Sequence, residues 1–279
     1  MAEASTTHVT TEKAESSAAR TAILLAAGVL VVAAFTVAFG LQTLVWLNAK
    51  HWASVNPWLR EVPKPLAAPE APPSALPAPA TSAASSKQAK PNQVKVYDYE
   101  FTAPWPGNVK ITPKLLYSEI RFDSGPLVLF FDPEAQLNTV EELKTKNGAE
   151  YQQLLSMFGD EPIDNDYLLY KATYEASPDR ISPFMNRDDA LRINGVLLYK
   201  LSFGYDLPGD IHSFEFGSNR GFQFGDPVYE QPIAVRVFDT QGKQLRMIFT
   251  VAAGSDALIT QDNIDSALQS LQLIPLLER

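Results

Sequence analysis

LLYSEIRFDSGPLVLFF, residues 115–131, holds two apolar runs on either side of Asp123-Ser124-Gly125-Pro126. Glycine tolerates positive φ and proline fixes φ near −65°, so the central block reads as a turn that sends the chain back on itself. The stretch predicts a β-hairpin, and with it a sheet.

The elements on either side build outward from that hairpin. Downstream, Thr139 and Glu142 have capping-box spacing at the start of VEELKTK, and a second helix over Ala149–Phe158 is expected to stop at Gly159. A third helix is expected near Asp164 with Leu168, Leu169 and Ala172 inward. Arg187–Leu201 reads as a fourth, but Asn194-Gly195 is a turn signal in its middle, so VLLYKLSF (Val196–Phe203) has a competing reading as a strand. Strands return at IHSFEF, GFQF, PIAVRVF and QLRMIFTV, the last two joined through Thr240-Gln241-Gly242-Lys243. Thr260 caps a final helix carrying Ile264, Leu268 and Leu271 at helical spacing. Upstream, VKVYDYEF (Val94–Phe101) alternates as a strand with Tyr97, Tyr99 and Phe101 inward. This order predicts an α+β fold, one antiparallel sheet with packed helices, over residues 94–279.

The first third of the chain is different material. Residues 1–19 are rich in Ala, Ser, Thr and Glu without apolar periodicity and read as a disordered tail. Between Arg20 and Lys50 no residue is charged, and Ala22–Leu47 carries only Thr36, Gln42 and Thr43 as polar interruptions. At about 1.5 Å per residue this run crosses a hydrocarbon core of roughly 30 Å, so residues 20–49 predict a single-pass transmembrane helix. The run is too long for the apolar core of a cleaved signal peptide, which makes it a signal anchor. Trp46, Trp52 and Trp58 follow at its end, where indoles favour the headgroup region, and are assigned to the membrane interface. Residues 50–93 then form a juxtamembrane segment and a Pro/Ala-rich linker, with a composition that favours extended polyproline II over a fold. Nearby basic residues are almost balanced across the run. Arg20 at its start, and the ease with which long domains translocate, place the carboxyl-terminal domain outside the cytoplasm.

Composition excludes several functions. The chain has 279 residues, no cysteine and a net charge of −9, so thiolate metal sites, disulfides and cysteine nucleophiles are out, and nucleic acid is not an expected partner. His8, His51 and His212 are too few and too scattered for a histidine metal site, and HExxH is absent. His212 next to Ser213 is no dyad, because strand neighbours point to opposite faces. Asp160, Glu161, Asp164 and Asp166 lack EF-hand spacing and suit a helix start. Gly217, Gly221 and Gly225 match no phosphate loop and read as turn glycines. No residue is assigned as catalytic, cofactor-binding or metal-ligating.

What remains is a surface. Phe214 and Phe216 share one strand face, Phe222 and Phe224 share one on the next run, and together they form either sheet core or a patch for a protein partner. The sequence therefore predicts a membrane-anchored protein, with the bilayer as its first partner, that presents an acidic α+β interaction domain. The alternative is an anchored enzyme, a carboxylate-dependent hydrolase whose acids come from separate elements.

Overall fold

The computed structural model describes residues 28–31, 40–67, 92–136, 138–159, 162–202, 210–229, 232–240 and 242–274. The tail 1–19, most of the linker, and residues 22–27 and 32–39 of the apolar run lie outside the described residues. Among the described residues no helix is long and apolar enough to cross a membrane.

Residues 40–55 form helix α1, followed by a 3-10 turn at Pro57–Arg60 and the two-residue strand β1 (Lys64–Pro65). Then come β2 (Asn92–Val96), β3 (Tyr99–Ala103), β4 (Val109–Pro113), β5 (Tyr117–Phe122) and β6 (Pro126–Phe131). Four helices follow: α2 (Thr139–Lys146), α3 (Gly148–Phe158), α4 (Asp166–Glu175) and α5 (Arg187–Ser202). After them come β7 (Ile211–Phe216), β8 (Asn219–Phe224), β9 (Ile233–Phe238), β10 (Gln244–Val251), α6 (Gln261–Gln269) and β11 (Gln272–Leu273).

The class is α+β, but the sheet is not single and not wholly antiparallel. Eight strands run in the order β1-β7-β8-β9-β10-β6-β5-β4, and β1 pairs with β7 in parallel. A separate three-stranded sheet has the order β11-β3-β2. It arises because Val94–Phe101 is not one strand: Tyr97 adopts φ 51° and the chain folds back there into an antiparallel pair. Tyr99 and Phe101 go inward as predicted, while Tyr97 stays 40% exposed at the turn.

One face of the large sheet packs on the small sheet and on α6. Ile120, Phe122, Val128, Phe130, Val235, Met247 and Phe249 meet Val94, Phe101, Trp105, Ile264 and Leu268 there in one buried cluster. Phe130 sits under the small sheet, its ring centre 6.4 Å from that of Phe101 and nearly parallel to it. On the opposite face α4 lies across β7, β8 and β9. Its Tyr167, Tyr170 and Tyr174, one helical turn apart, rest on Phe222, Phe224 and Phe238. Helices α1, α2, α3 and α5 pack with α4 around Val45, Val140, Leu154, Leu169 and Leu197.

Local chemistry explains the helix starts. Thr139 makes no capping box; instead the Asp166 carboxylate, at the start of α4, accepts hydrogen bonds from the backbone N–H groups of Thr139 and Val140. Thr260 does cap α6, reciprocated by Asn263. The stretch 187–202 is helix throughout, so Asn194-Gly195 is not a turn, and the strand reading of 196–203 is set aside. Burial of Val196, Leu197 and Lys200 on one side outweighs the weak helix propensity of that pair.

The fold begins earlier than residue 94. Gln42, Val45, Ala49 and Ala53 form the buried stripe of α1, and Val45 and Ala49 belong to the same apolar cluster as α3, α4 and α5. Leu59 is fully buried, and β1 extends the large sheet at its edge. Residues 40–66, which composition assigns to a helix end, a juxtamembrane segment and the start of a linker, are integral to the domain. The apolar run that α1 continues hides which of its faces is buried, and the turn and strand after it are only four and two residues long. Replacing Leu59 by Ala is expected to lower the unfolding free energy by about 2–4 kcal/mol in urea titrations; an unchanged midpoint would place that segment outside the cooperative unit.

Gly221 is likewise not a turn residue. It lies inside β8, opposite Phe214, and an added Cβ would collide with the Arg236 carbonyl oxygen and come within 2.8 Å of the Phe214 ring. Gly221→Ala should therefore destabilise the protein by more than about 2 kcal/mol, since backbone cannot give way as a side-chain tip can. Thermal and urea unfolding of the variant measure it.

Candidate functional site

The four phenylalanines singled out from the sequence do not make a surface. Register sets Phe222 opposite Ser213 and Phe214 opposite Gly221, so the pairs fall on opposite sides of the sheet. Phe214 and Phe216 enter the core beneath the small sheet, and Phe222 and Phe224 lie under the tyrosines of α4. All four are at most 3% exposed. Trp46, Trp52 and Trp58 are partly exposed along α1 and the turn after it, and Trp46 packs on the helical cluster. His212 is partly buried in β7, opposite Lys64.

The open surface is elsewhere on the same sheet. Strand β6, PLVLFF, is apolar at every position, which in an antiparallel sheet reads as burial on both faces. Pro126, Val128 and Phe130 are buried, but Leu127, Leu129 and Phe131 on the reverse side are only partly so. Directly opposite residues share a face, so the register extends this patch to Tyr117 and Glu119 on β5 and to Ile248 and Thr250 on β10. The Tyr117 and Phe131 rings are 5.5 Å apart, and the Arg246 guanidinium stands 4.9 Å from the centre of the Phe131 ring. Leu127, Leu129, Phe131 and Ile248 belong to none of the apolar clusters that organise the described fold. The apolar clusters place α4 over the β7–β9 half of this face and bring no described helix residue against Leu127, Leu129, Phe131 or Ile248 on the other half. Leu115 and Leu116, 93% and 55% exposed, extend the patch at the turn before β5.

Charge frames this surface. Lys110 on β4 lies directly opposite Arg121 on β5, and Arg236 on β9 lies opposite Arg246 on β10. Like charges placed so are unfavourable unless something else compensates. Arg236 is buried, with its Nη1 donating to the Tyr170 hydroxyl at 3.1 Å and its guanidinium over that ring. Lys110 and Arg121 are exposed and make no ion pair among the described residues. The sequence signal for this patch is the unbroken run LVLFF, whose second apolar face needs a cover.

Two other places have the ingredients of chemistry. A cleft of about 280 Å³ is lined by Asn138, Glu141, Asp164, Asn165, Asp166, Gly242 and Lys243. Burial raises the Asp166 carboxyl above its ordinary value, against the two backbone N–H bonds that lower it. Both its oxygens are already engaged at the start of α2, at 2.9 and 2.7 Å. Of the acidic run, Asp160 and Glu161 lie outside the described residues.

The second is Lys200, fully buried on α5. Its ammonium donates to the carbonyl oxygens of Leu59, Glu61, Tyr174 and Ala176, at 3.2, 2.7, 2.9 and 2.8 Å. Burial pushes its pKa down to about 8, against the pull of Glu61. The carbonyls make it a fastener between α5, the end of α4 and the turn after α1.

Comparison with family models, curated proteins and solved structures gives no match.

The depressed Lys200 pKa has a definite sign in stability. Between about pH 8 and 10.5 the unfolded chain holds a proton at Lys200 that the folded chain has released, so stability rises with pH across that window. Tyr99 and Tyr199, pushed up to about 12 by burial, act with the opposite sign only above about pH 10. From pH 7.5 to 9.5 the wild type should gain up to about 2 kcal/mol relative to Lys200→Met. Urea titrations of both proteins at the two pH values read this directly, and parallel pH dependences would refute the assignment.

Proposed function

We propose that this chain is a single-pass membrane-anchored interaction module that docks a partner protein on the open half of its large sheet, with the acidic α+β domain outside the cytoplasm. The observation that carries the docking role is β6, apolar on both faces and covered by described elements on one. An uncovered sheet face with Leu127, Leu129, Phe131 and Ile248 at its centre and polar residues around it has the make-up of a protein-binding patch.

The anchoring role rests on the uncharged run Ala22–Leu47. It is supported by α1, which continues that run and carries Leu41, Leu44 and Leu47 on the side away from the domain, 38%, 63% and 50% exposed. Those side chains face outward at the depth where the run would leave the hydrocarbon. Because α1 packs into the helical layer, the domain in this reading sits against the membrane surface and moves with its anchor. A stalk between the two is not needed.

The hydrolase reading finds its best support in the cleft beside α2, where a carboxyl with a raised pKa meets Glu141 and Asp164. Asp166 is nonetheless 3% exposed and turned to backbone amides, so the docking reading is preferred.

A photo-crosslinking residue at position 129 tests the docking role in cells that make the full chain. The expected result is a discrete crosslinked protein adduct that is missing when the same residue replaces exposed Lys146. Crosslinking at 129 to water alone would remove the docking role. Protease added to sealed spheroplasts should reach the domain without permeabilisation; protection until permeabilisation would reverse the orientation.

A further inference from the structure

We infer that the open half of the sheet receives an amphipathic helix from a separate protein, apolar where it meets Leu127, Leu129, Phe131 and Ile248 and acidic along its flanks. This rests on the docking role proposed above and names the class of partner.

The molecule already shows how a helix sits on this face. On the β7–β9 half, α4 sets Tyr167, Tyr170 and Tyr174 on Phe222, Phe224 and Phe238. The same face continues unbroken through the register from Ala234 on β9 to Ile248 on β10 and Leu129 on β6. Four strands at about 4.8 Å spacing make a surface roughly 15–19 Å wide, enough for one helix of about 10 Å diameter with its flanking side chains. A helix laid beside α4 would complete the layer that α4 begins.

Charge chooses the flanks. The apolar strip lies between the Lys110–Arg121 pair at the β4 side and Arg246 at the β10 side, with Glu119 as the acidic residue between them. Glu119 reaches Lys114 at 4.0 Å, which leaves Lys110 and Arg121 to a carboxylate from outside. An acidic flank on the incoming helix would relieve the Lys110–Arg121 opposition. A second copy of this chain is disfavoured, because the face it would present carries the basic residues Lys110, Arg121 and Arg246 rather than acidic flanks. A bilayer is disfavoured as well: Thr112, Glu119, Arg121 and Thr250 lie on the same face, and partly buried pleats cannot enter hydrocarbon without them.

Full-length protein in lipid nanodiscs is screened against a displayed library of helices about 18 residues long, with one Leu/Ala face fixed and the flanking positions free to be Glu or Lys. The expected winners carry Glu on the flanks, lose at least about tenfold in retention on Leu129→Glu, and shift toward Lys flanks on the double change Lys110→Glu and Arg121→Glu. Both sets of changes are on the open face, and thermal unfolding checks that the variants remain folded. Winners with Lys flanks, no flank preference, no enrichment, or retention indifferent to Leu129→Glu would overturn the inference. So would a position-129 crosslink in cells to lipid or to a second copy. A discrete crosslink to another protein together with a neutral library result keeps the docking role and removes the acidic helix; absence of any crosslink removes the docking role itself.

Discussion

Four peptide carbonyls converge on the Lys200 ammonium, two from the turn after α1 and two from the end of α4. A buried ammonium is costly, and these acceptors are what make the site tolerable. They are also carbonyls that helix and turn ends leave without intrahelical donors. One side chain therefore closes two backbone termini and joins the first 30 or so described residues to the rest. The docking of α1, the burial of Leu59 and the parallel addition of β1 to the sheet all meet at that junction.

The sheet then divides the molecule into unequal environments. One face is closed along most of its length by the small sheet and α6, with Phe130, Trp105 and Phe249 among the rings in that core. The other is half closed by α4, whose tyrosines stack on phenylalanines of β8 and β9. Aromatics on α4 suit this role because they reach across the roughly 10 Å between helix and sheet with large area and few rotatable bonds. The uncovered remainder is where the chain combines apolar residues with paired basic ones, in a protein whose net charge is −9.

Strong local signals are legible in the amino-acid sequence. The hairpin of β5 and β6, the stop of α3 at Gly159 and the Thr260 cap each depend on chemistry within a few residues, and they appear where expected. Features that depend on distant partners are not legible in the same way. Asp166 caps a helix that starts 27 residues upstream, so the box expected at Thr139 has a stronger competitor. Tyr97 turns a strand into a hairpin without glycine, asparagine or aspartate at its own position. β4 alternates over only four residues before Pro113, at an edge position, and is too short to stand out. The candidate patch escapes for a related reason: alternation assigns two phenylalanines to each strand face, but only register shows that the second pair meets α4 and that LVLFF is the strand left uncovered.

The Pro/Ala-rich stretch between residues 68 and 91 leaves from β1 and returns at β2, and both of those strands belong to the fold. It is therefore tethered at its two ends to one body, whatever path it follows. Its length is nearly free thermodynamically, since doubling a closed loop costs only about 0.6 kcal/mol. A single cut within it would not release α1 and β1 from the rest of the fold. The two fragments would stay joined through the Lys200 carbonyl cluster, the β1–β7 pairing and the α1 contacts, as a two-chain protein that separates only on denaturation.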